Sequence, residues 1–366
     1  MTSRNIHAVI AFVDLIDSTR NATYLSQSQY VTSLLLPFQE IANALGDGFF
    51  EGRFKHIVRG DEVFIIAPVD SCPADESIRL IIEYCLTLKA ALYCTEFNQE
   101  RIKTGRAPFD IGAGIHYGPV VELSEEGQKP RLEGYSINQA KRIEAASRNG
   151  HDCRIVLSSS SQRILFEHIP TDTIIISGPP ISVEAKGITG NIQISEIEEY
   201  FAPVLFKKIK ENVSDFETLW PGICDDLIWI SPSYCWPSLL MVGWKYWRAH
   251  ELQDDGLFHA LILFINTRGY IKLKFIALFF LASSEFAKKD FPNAFFNFEK
   301  AQKIDNQRRV VIPKLLSALT LLKTGFLQEG DRLYDIKREV LKAADELTSF
   351  PEQREQILEL KALLKL

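Results

Sequence analysis

The chain has 366 residues, of which 41 are basic and 47 acidic, for a formal net charge of -6 at pH 7. That length allows two domains with ample core, and a hydrophobic content of 46% belongs to a globular chain rather than a disordered or fibrous one. The mildly acidic balance excludes broad electrostatic attraction to nucleic acid or to an anionic membrane, so any phosphate chemistry must come from a local cluster.

In chain order, the opening "MTSRNIHAVIAFVD" runs straight into a strand pattern, with no basic region leading into a long apolar one, and no export signal is expected. Cys72, Cys85, Cys94, Cys153, Cys224 and Cys235 form neither C-x-x-C pairs nor a framework spacing. Structural zinc and a secreted disulfide scaffold are therefore not expected, and a reduced, cytoplasmic setting is.

The strand "HAVIAFVD" is followed by "DLIDSTRNATYL", in which Asp17, Ser18 and Thr19 are good helix N-caps. Free backbone N–H groups at such a helix start suit phosphate oxygens. A helix over "TYLSQSQYVTSLLLPFQEIANAL" comes next, bent at Pro37. The strands "RFKHIV" and "EVFIIAP" flank a tight turn, and then come one long helix from "DESIRL" to "QERI" and the strand "FDIGAGIHYG". The order β-α-β-β-α-β is the ferredoxin-like pattern of an α+β domain.

In that topology the first and second strands run parallel with the third between them. Asp14, which ends the first strand, and Asp61, in the turn between the second and third, are brought to one end of the sheet. Two neighbouring carboxylates are unfavourable unless a cation neutralises them, and oxygen-only company favours Mg²⁺ or Mn²⁺. Glu62 reads as a satisfied acid of the turn. Further on, Asn138 and Arg142 stand four apart in the helical stretch "INQAKRIEAAS" and project from one face, with Ile137, Ala140 and Ile143 on an apolar side.

Beyond about residue 205 the patterns are almost entirely of helix length, with a boundary near "EIEEYFAPVLFKKIKENVSD". Domains over 1–200 and 201–366 are expected. The uncharged run "LIWISPSYCWPSLLMVGW" carries Pro232 and Pro237, which break a spanning helix, so a buried or interface aromatic segment is expected there and no membrane. "FFLASSEFAKKDFPNAFFNFEKAQKID" resembles one tetratricopeptide-type helical pair, without a clean repeat. The all-α half is expected to be a TPR-like regulatory or sensor domain that takes a protein or phage-derived trigger, or a dimer-stabilising appendage.

Five segments in register, "FVDLIDST", "VRGDEVFII", "IGAGIHYGPVV", "GYSINQAKRIEAAS" and "AKGITG", resemble the motifs of class III nucleotidyl cyclase domains over roughly residues 7 to 197. The resemblance implies that Asp14, Asp61 and the carbonyl of Leu15 hold two divalent cations, Mn²⁺ or Mg²⁺. It implies that Asn138 and Arg142 orient the ribose and stabilise charge on the α-phosphate, and that Lys186, with the helix start at Asp17, Ser18 and Thr19, binds the triphosphate. It also implies a homodimer with active sites at the interface, metal aspartates coming from one domain and the Asn, Arg and Lys from the other.

Ile57 and Arg131 fall at the two positions that read the base in purine cyclases, and both purine-reading polar groups are missing. Arginine offers only donors, which suit O2 and O4 of uracil and not an exocyclic amine. The pattern is similar to the pyrimidine cyclases of bacterial antiphage (Pycsar) systems, and implies a uridylate cyclase that converts UTP to cyclic UMP. An adenylate cyclase with a divergent pocket, or a catalytically inactive nucleotide sensor or interaction module, are the alternatives.

Overall fold

The computed structural model describes residues 2–16, 25–124, 131–150, 152–170, 173–184, 191–230, 236–252, 278–279, 281–286, 288–304, 308–327, 331–346 and 351–366. Strand β1 (Thr2–Leu15) is followed by α1 (Leu36–Phe50), β2 (Lys55–Arg59), β3 (Glu62–Pro68), α2 (Ala74–Tyr93), α3 (Glu96–Lys103) and β4 (Ile111–Ser124). These four strands lie in the order β2-β3-β1-β4, and each neighbouring pair is antiparallel. That is the ferredoxin-like arrangement, an α+β fold with β3 between the parallel strands β1 and β2.

Two expected helices differ in detail. The first runs without a break from Gln27 to Phe50, and the turns just before Pro37, over Tyr30–Leu35, are π-helical instead of α-helical. The long second helix is broken after Tyr93. The Thr95 side chain accepts from the backbone N–H of Asn98 and caps a new helix, and the Asn98 amide then ties Leu92 and Phe109 together through their backbones.

The sheet continues past β4 through β5 (Arg131–Glu133), α4 (Tyr135–Ala146), β6 (Ile155–Ser158), α5 (Ser159–Glu167), β7 (Ile174–Ser177), β8 (Ile181–Glu184) and β9 (Asn191–Phe201). Strand β6 adds to β4 in parallel, and β9 joins β6 to β7. Along β1 the side chains alternate between two faces. Ile6, Ala8, Ile10 and Phe12 pack with Ile66, Val120 and Ala140 on the face that carries α4, while Val9, Ala11 and Val13 are fully buried on the other.

Two compact units divide the chain, Met1–Met241 and Val242–Leu366, so the division comes later than the boundary expected near residue 200. The helices after β9, α6 (Pro203–Asn212) and α7 (Phe216–Ile230), contact α2, and α7 also contacts α3, within the first unit. For α7 the contact is aromatic: Tyr93, Phe216, Trp220 and Trp236 form a ring cluster, and Trp220 Nε1 donates to the Pro237 carbonyl over 3.1 Å. Trp220 and Trp236 are buried. No helix among the described residues is long and apolar enough to cross a membrane.

Helix α8 (Trp236–Leu252) crosses that division, and α9 (Phe291–Ile304), α10 (Arg308–Lys323), α11 (Asp331–Glu346) and α12 (Pro351–Leu363) belong to the second unit. Phe295, Leu315, Ala318, Ile336, Val340, Ile357 and Leu360 form its core. A helical stretch at residues 281–286, a turn with Lys289 at φ 65°, and α9 supply the one expected helical pair.

Candidate active site

The chain brings two acids together at one end of the sheet. Asp14 lies opposite Glu62 in the β1–β3 ladder and opposite Gly112 in the β1–β4 ladder. Leu15 donates its backbone N–H to the carbonyl of Asp61 over 3.1 Å, so the end of β1 and the turn into β3 are joined directly. Gly60 adopts φ 62°, the left-handed conformation this tight turn requires, and its carbonyl accepts from the Gln39 side chain at 3.0 Å. The carbonyl of Asp110 accepts the N–H of Ile16 at 2.9 Å on the other flank.

Charge at this edge is dense. Asp14 is buried, 8% exposed, and burial pushes its carboxyl pKa up. Lys141 opposes that rise, the Asp61 carboxylate adds to it, and Arg148 lowers it again. Arg148 Nη2 lies 2.7 Å from Asp14 Oδ2. Lys141 bonds Glu62 and sits 2.8 Å from Glu144 Oε2, an ion-pair contact rather than a well-aligned hydrogen bond. Burial works against the Lys141 charge, but the Glu144 and Glu62 carboxylates it meets raise its pKa. Burial also raises the Glu144 carboxyl, against Lys141.

Solved structures of nucleotide cyclases are similar to this chain. Among them are the adenylyl cyclase CyaB from P. aeruginosa (16% identity, TM-score 0.42, 54% of this chain and 97% of that one) and the guanylyl cyclase Cya2 (19%, 0.41, 54% and 94%). The guanylate cyclase domain of RhGC from Catenaria anguillulae in complex with GTP is another (17%, 0.35, 53% and 97%). No family model matches the chain, and no curated protein does.

The other sequence-derived residues are placed as follows. Asn138 is exposed and Arg142 half-buried on α4, and neither makes a side-chain hydrogen bond or ion pair with the described residues. Helical periodicity turns Arg142 away from Glu144 and Arg148, while Asn138, three residues before Lys141, borders the stripe of α4 and its following turn that meets the acid edge. Ile57 is 41% exposed on β2 and lies opposite Phe64, itself opposite Phe12, so it shares the α4 face of the sheet with Asp14. Arg131 is exposed on β5, opposite Leu123 of β4. Asp17, Ser18, Thr19 and Lys186 lie outside the described residues.

Lys141, Glu144 and Arg148 escaped the sequence reading. Their signal was present as an i, i+3, i+7 stripe in "AKRIEAASR", beside the Asn138–Arg142 pair that drew attention instead. Glu62, expected as a satisfied acid of the turn, begins the strand β3 and is satisfied by Lys141.

Close packing delivers this stripe to the sheet. A Cβ at Gly114 would lie 2.1 Å from the Glu144 nitrogen, and one at Gly112 would lie 2.0 Å from Ser147 Oγ. Glycine at alternate positions of β4 therefore lets α4 settle directly on the strand beside Asp14. As for a metal, no group of three or more His, Cys, Asp or Glu among the described residues could hold one alone. A hard cation at Asp14 and Asp61 would draw its remaining ligands from backbone oxygens, water and substrate. The all-oxygen donor set and the unfavourable proximity of the two acids fit Mg²⁺ or Mn²⁺.

Proposed function

We propose that the chain is a nucleotide cyclase that converts UTP to 3′,5′-cyclic UMP and pyrophosphate, a second messenger in antiphage defence. The single observation that carries the cyclase reading is the joining of Asp14 and Asp61 at one sheet end, with Leu15 bonded to the Asp61 carbonyl. Divalent cations bound there would supply the charge that activates the ribose 3′-hydroxyl and holds the triphosphate. The 3′-oxygen attacks the α-phosphorus, the bond from that phosphorus to the bridging oxygen breaks, pyrophosphate leaves, and the hydroxyl proton passes to solvent.

The chain's own residues then position and stabilise. Asn138 orients the ribose, and Arg142 offers its guanidinium to the α-phosphate. Asn138 is exposed, and neither side chain is engaged by the described residues of its own chain, which supports a site completed by a second copy: a homodimer with two equivalent sites. Lys186 and the segment of Asp17, Ser18 and Thr19 bind the triphosphate, and Arg131 with Ile57 reads uracil. The helices of the second unit regulate this activity in response to a protein or phage-derived trigger.

Incubation of the purified protein with each of the four ribonucleoside triphosphates and Mn²⁺, with the products resolved by chromatography, tests the reading. Cyclic UMP is the expected product. Cyclic AMP would replace the uracil assignment by an adenylate cyclase, and the absence of any cyclic product would leave a nucleotide-binding interaction module.

A further inference from the structure

Arg148 occupies a position that the reaction scheme above does not use. It lies in the 3₁₀ turn Ser147–Asn149 that closes α4, and its guanidinium meets Asp14 Oδ2 at 2.7 Å. The approach is built into the fold. Ser147 is fully buried, and only the absence of a side chain at Gly112, the residue opposite Asp14, makes room for its hydroxyl. Arg148 itself remains half exposed, 49% at the side chain, so its head can turn without unpacking the helix end.

The electrostatics make this pairing conditional. Asp14 has one strong guanidinium partner and a second carboxylate, Asp61, beside it. A divalent cation at that edge would compete with Arg148 for the same carboxylate and repel the guanidinium. A polyphosphate arriving with the cation carries enough negative charge to take the displaced arginine, and the planar fork of donors matches phosphate oxygens in a bidentate way that lysine cannot.

Building on the nucleotidyl cyclase reading, we propose that Arg148 is a substrate-binding residue that exchanges partners. It neutralises Asp14 until a divalent cation takes that carboxylate, and then turns its guanidinium to the polyphosphate of the nucleotide.

The two halves of this exchange predict effects of opposite sign in one variant, which a merely structural role would not give. Mn²⁺ binding to the full-length protein is measured by electron paramagnetic resonance, and binding of 3′-deoxynucleoside triphosphates, which cannot cyclise, by calorimetry at saturating Mn²⁺. Arg148→Gln is expected to bind Mn²⁺ alone about 3- to 10-fold more tightly than the wild type, and the best-bound triphosphate about 10-fold more weakly. Arg148→Lys, which keeps the charge and loses the fork, is expected to fall between the two. Unchanged or weaker Mn²⁺ binding in Arg148→Gln, or an unchanged triphosphate affinity, overturns the exchange. If instead Asp61→Ala binds Mn²⁺ as well as the wild type, or the wild type binds none, the metal edge itself is wrong and both readings fall.

Discussion

The backbone N–H of Leu15 and the carbonyl oxygen of Asp61 are 3.1 Å apart, so residues 46 positions distant in the chain share a single hydrogen bond at the end of the sheet. That bond fixes Asp61 beside Asp14 whether or not its side chain is present. Asp61→Ala is therefore expected to keep the fold, with a melting temperature within a few degrees of wild type. On the metal role proposed for Asp61 it is expected to lose cyclic product by about 10³-fold or more, the several kcal/mol of charge stabilisation that a cation held there would supply. Product assays and circular dichroism on the same preparation check this; substantial residual turnover would remove Asp61 from the metal edge.

Gly114 makes a prediction about packing instead of charge. Its missing Cβ is replaced by the backbone of α4, with the Glu144 nitrogen 2.1 Å from the position a methyl group would need. The three nearest atoms, Glu144 N and Cα and Ile143 C, are all backbone, so Gly114→Ala must push the helix off the strand. A loss of at least about 1–3 kcal/mol in urea unfolding is expected, with activity falling further than stability because Lys141, Glu144 and Arg148 move together. The corresponding change at Gly60, where a methyl group would meet open space, strains only the turn.

The pH dependence of stability should carry the mark of His116. This side chain is buried on β4, its Nδ1 3.0 Å from Ser158 Oγ, and burial lowers its pKa to about 4, while a hydrogen bond to Gln139 works the other way. Between about pH 4 and 6.5 the unfolded chain binds a proton at this site that the folded chain refuses. Stability from His116 is thus fully present above pH 6.5 and is lost as pH falls toward 4, by about 3 kcal/mol at the limit. Denaturant curves from pH 4 to 7 should show this slope in the wild type and a shallower one in His116→Asn; equal slopes would mean that the histidine is protonated in the fold.

How much of this was legible beforehand depends on whether the cause was local. The alternating apolar runs around Gly60 and the order of helices and strands up to residue 124 define the ferredoxin-like unit, and its topology alone places Asp14 beside Asp61. The break at Thr95 was missed because apolar periodicity continues through it, while the cap that ends the helix is a single hydroxyl. Helix α7 looks self-sufficient as an amphipathic segment; that it completes the first unit depends on the distant Tyr93, Trp220 and Trp236 meeting in space. The Lys141–Glu144–Arg148 stripe had the right spacing but no visible partner until the glycines of β4 were seen to admit the helix.

Lys89 and Asp110 form the most deeply buried ion pair of the first unit's described residues, 2.6 Å apart with side-chain exposures of 0% and 2%. Trp236 covers the ammonium, its ring centroid 5.0 Å from Nζ. The pair sits directly behind the site, because Asp110 accepts the Ile16 N–H through its carbonyl and the Ile111 N–H through its carboxylate. Removing the lysine leaves a carboxylate that water cannot reach, so Lys89→Met is expected to destabilise the fold by about 3–5 kcal/mol. The double variant Lys89→Met/Asp110→Asn keeps an acceptor for Ile111 and removes the stranded charge, and should recover most of that loss. Urea unfolding of the single and double variants measures both; if the double variant is no more stable than Lys89→Met alone, the cost lies in the packing around Trp236 and not in the buried charge.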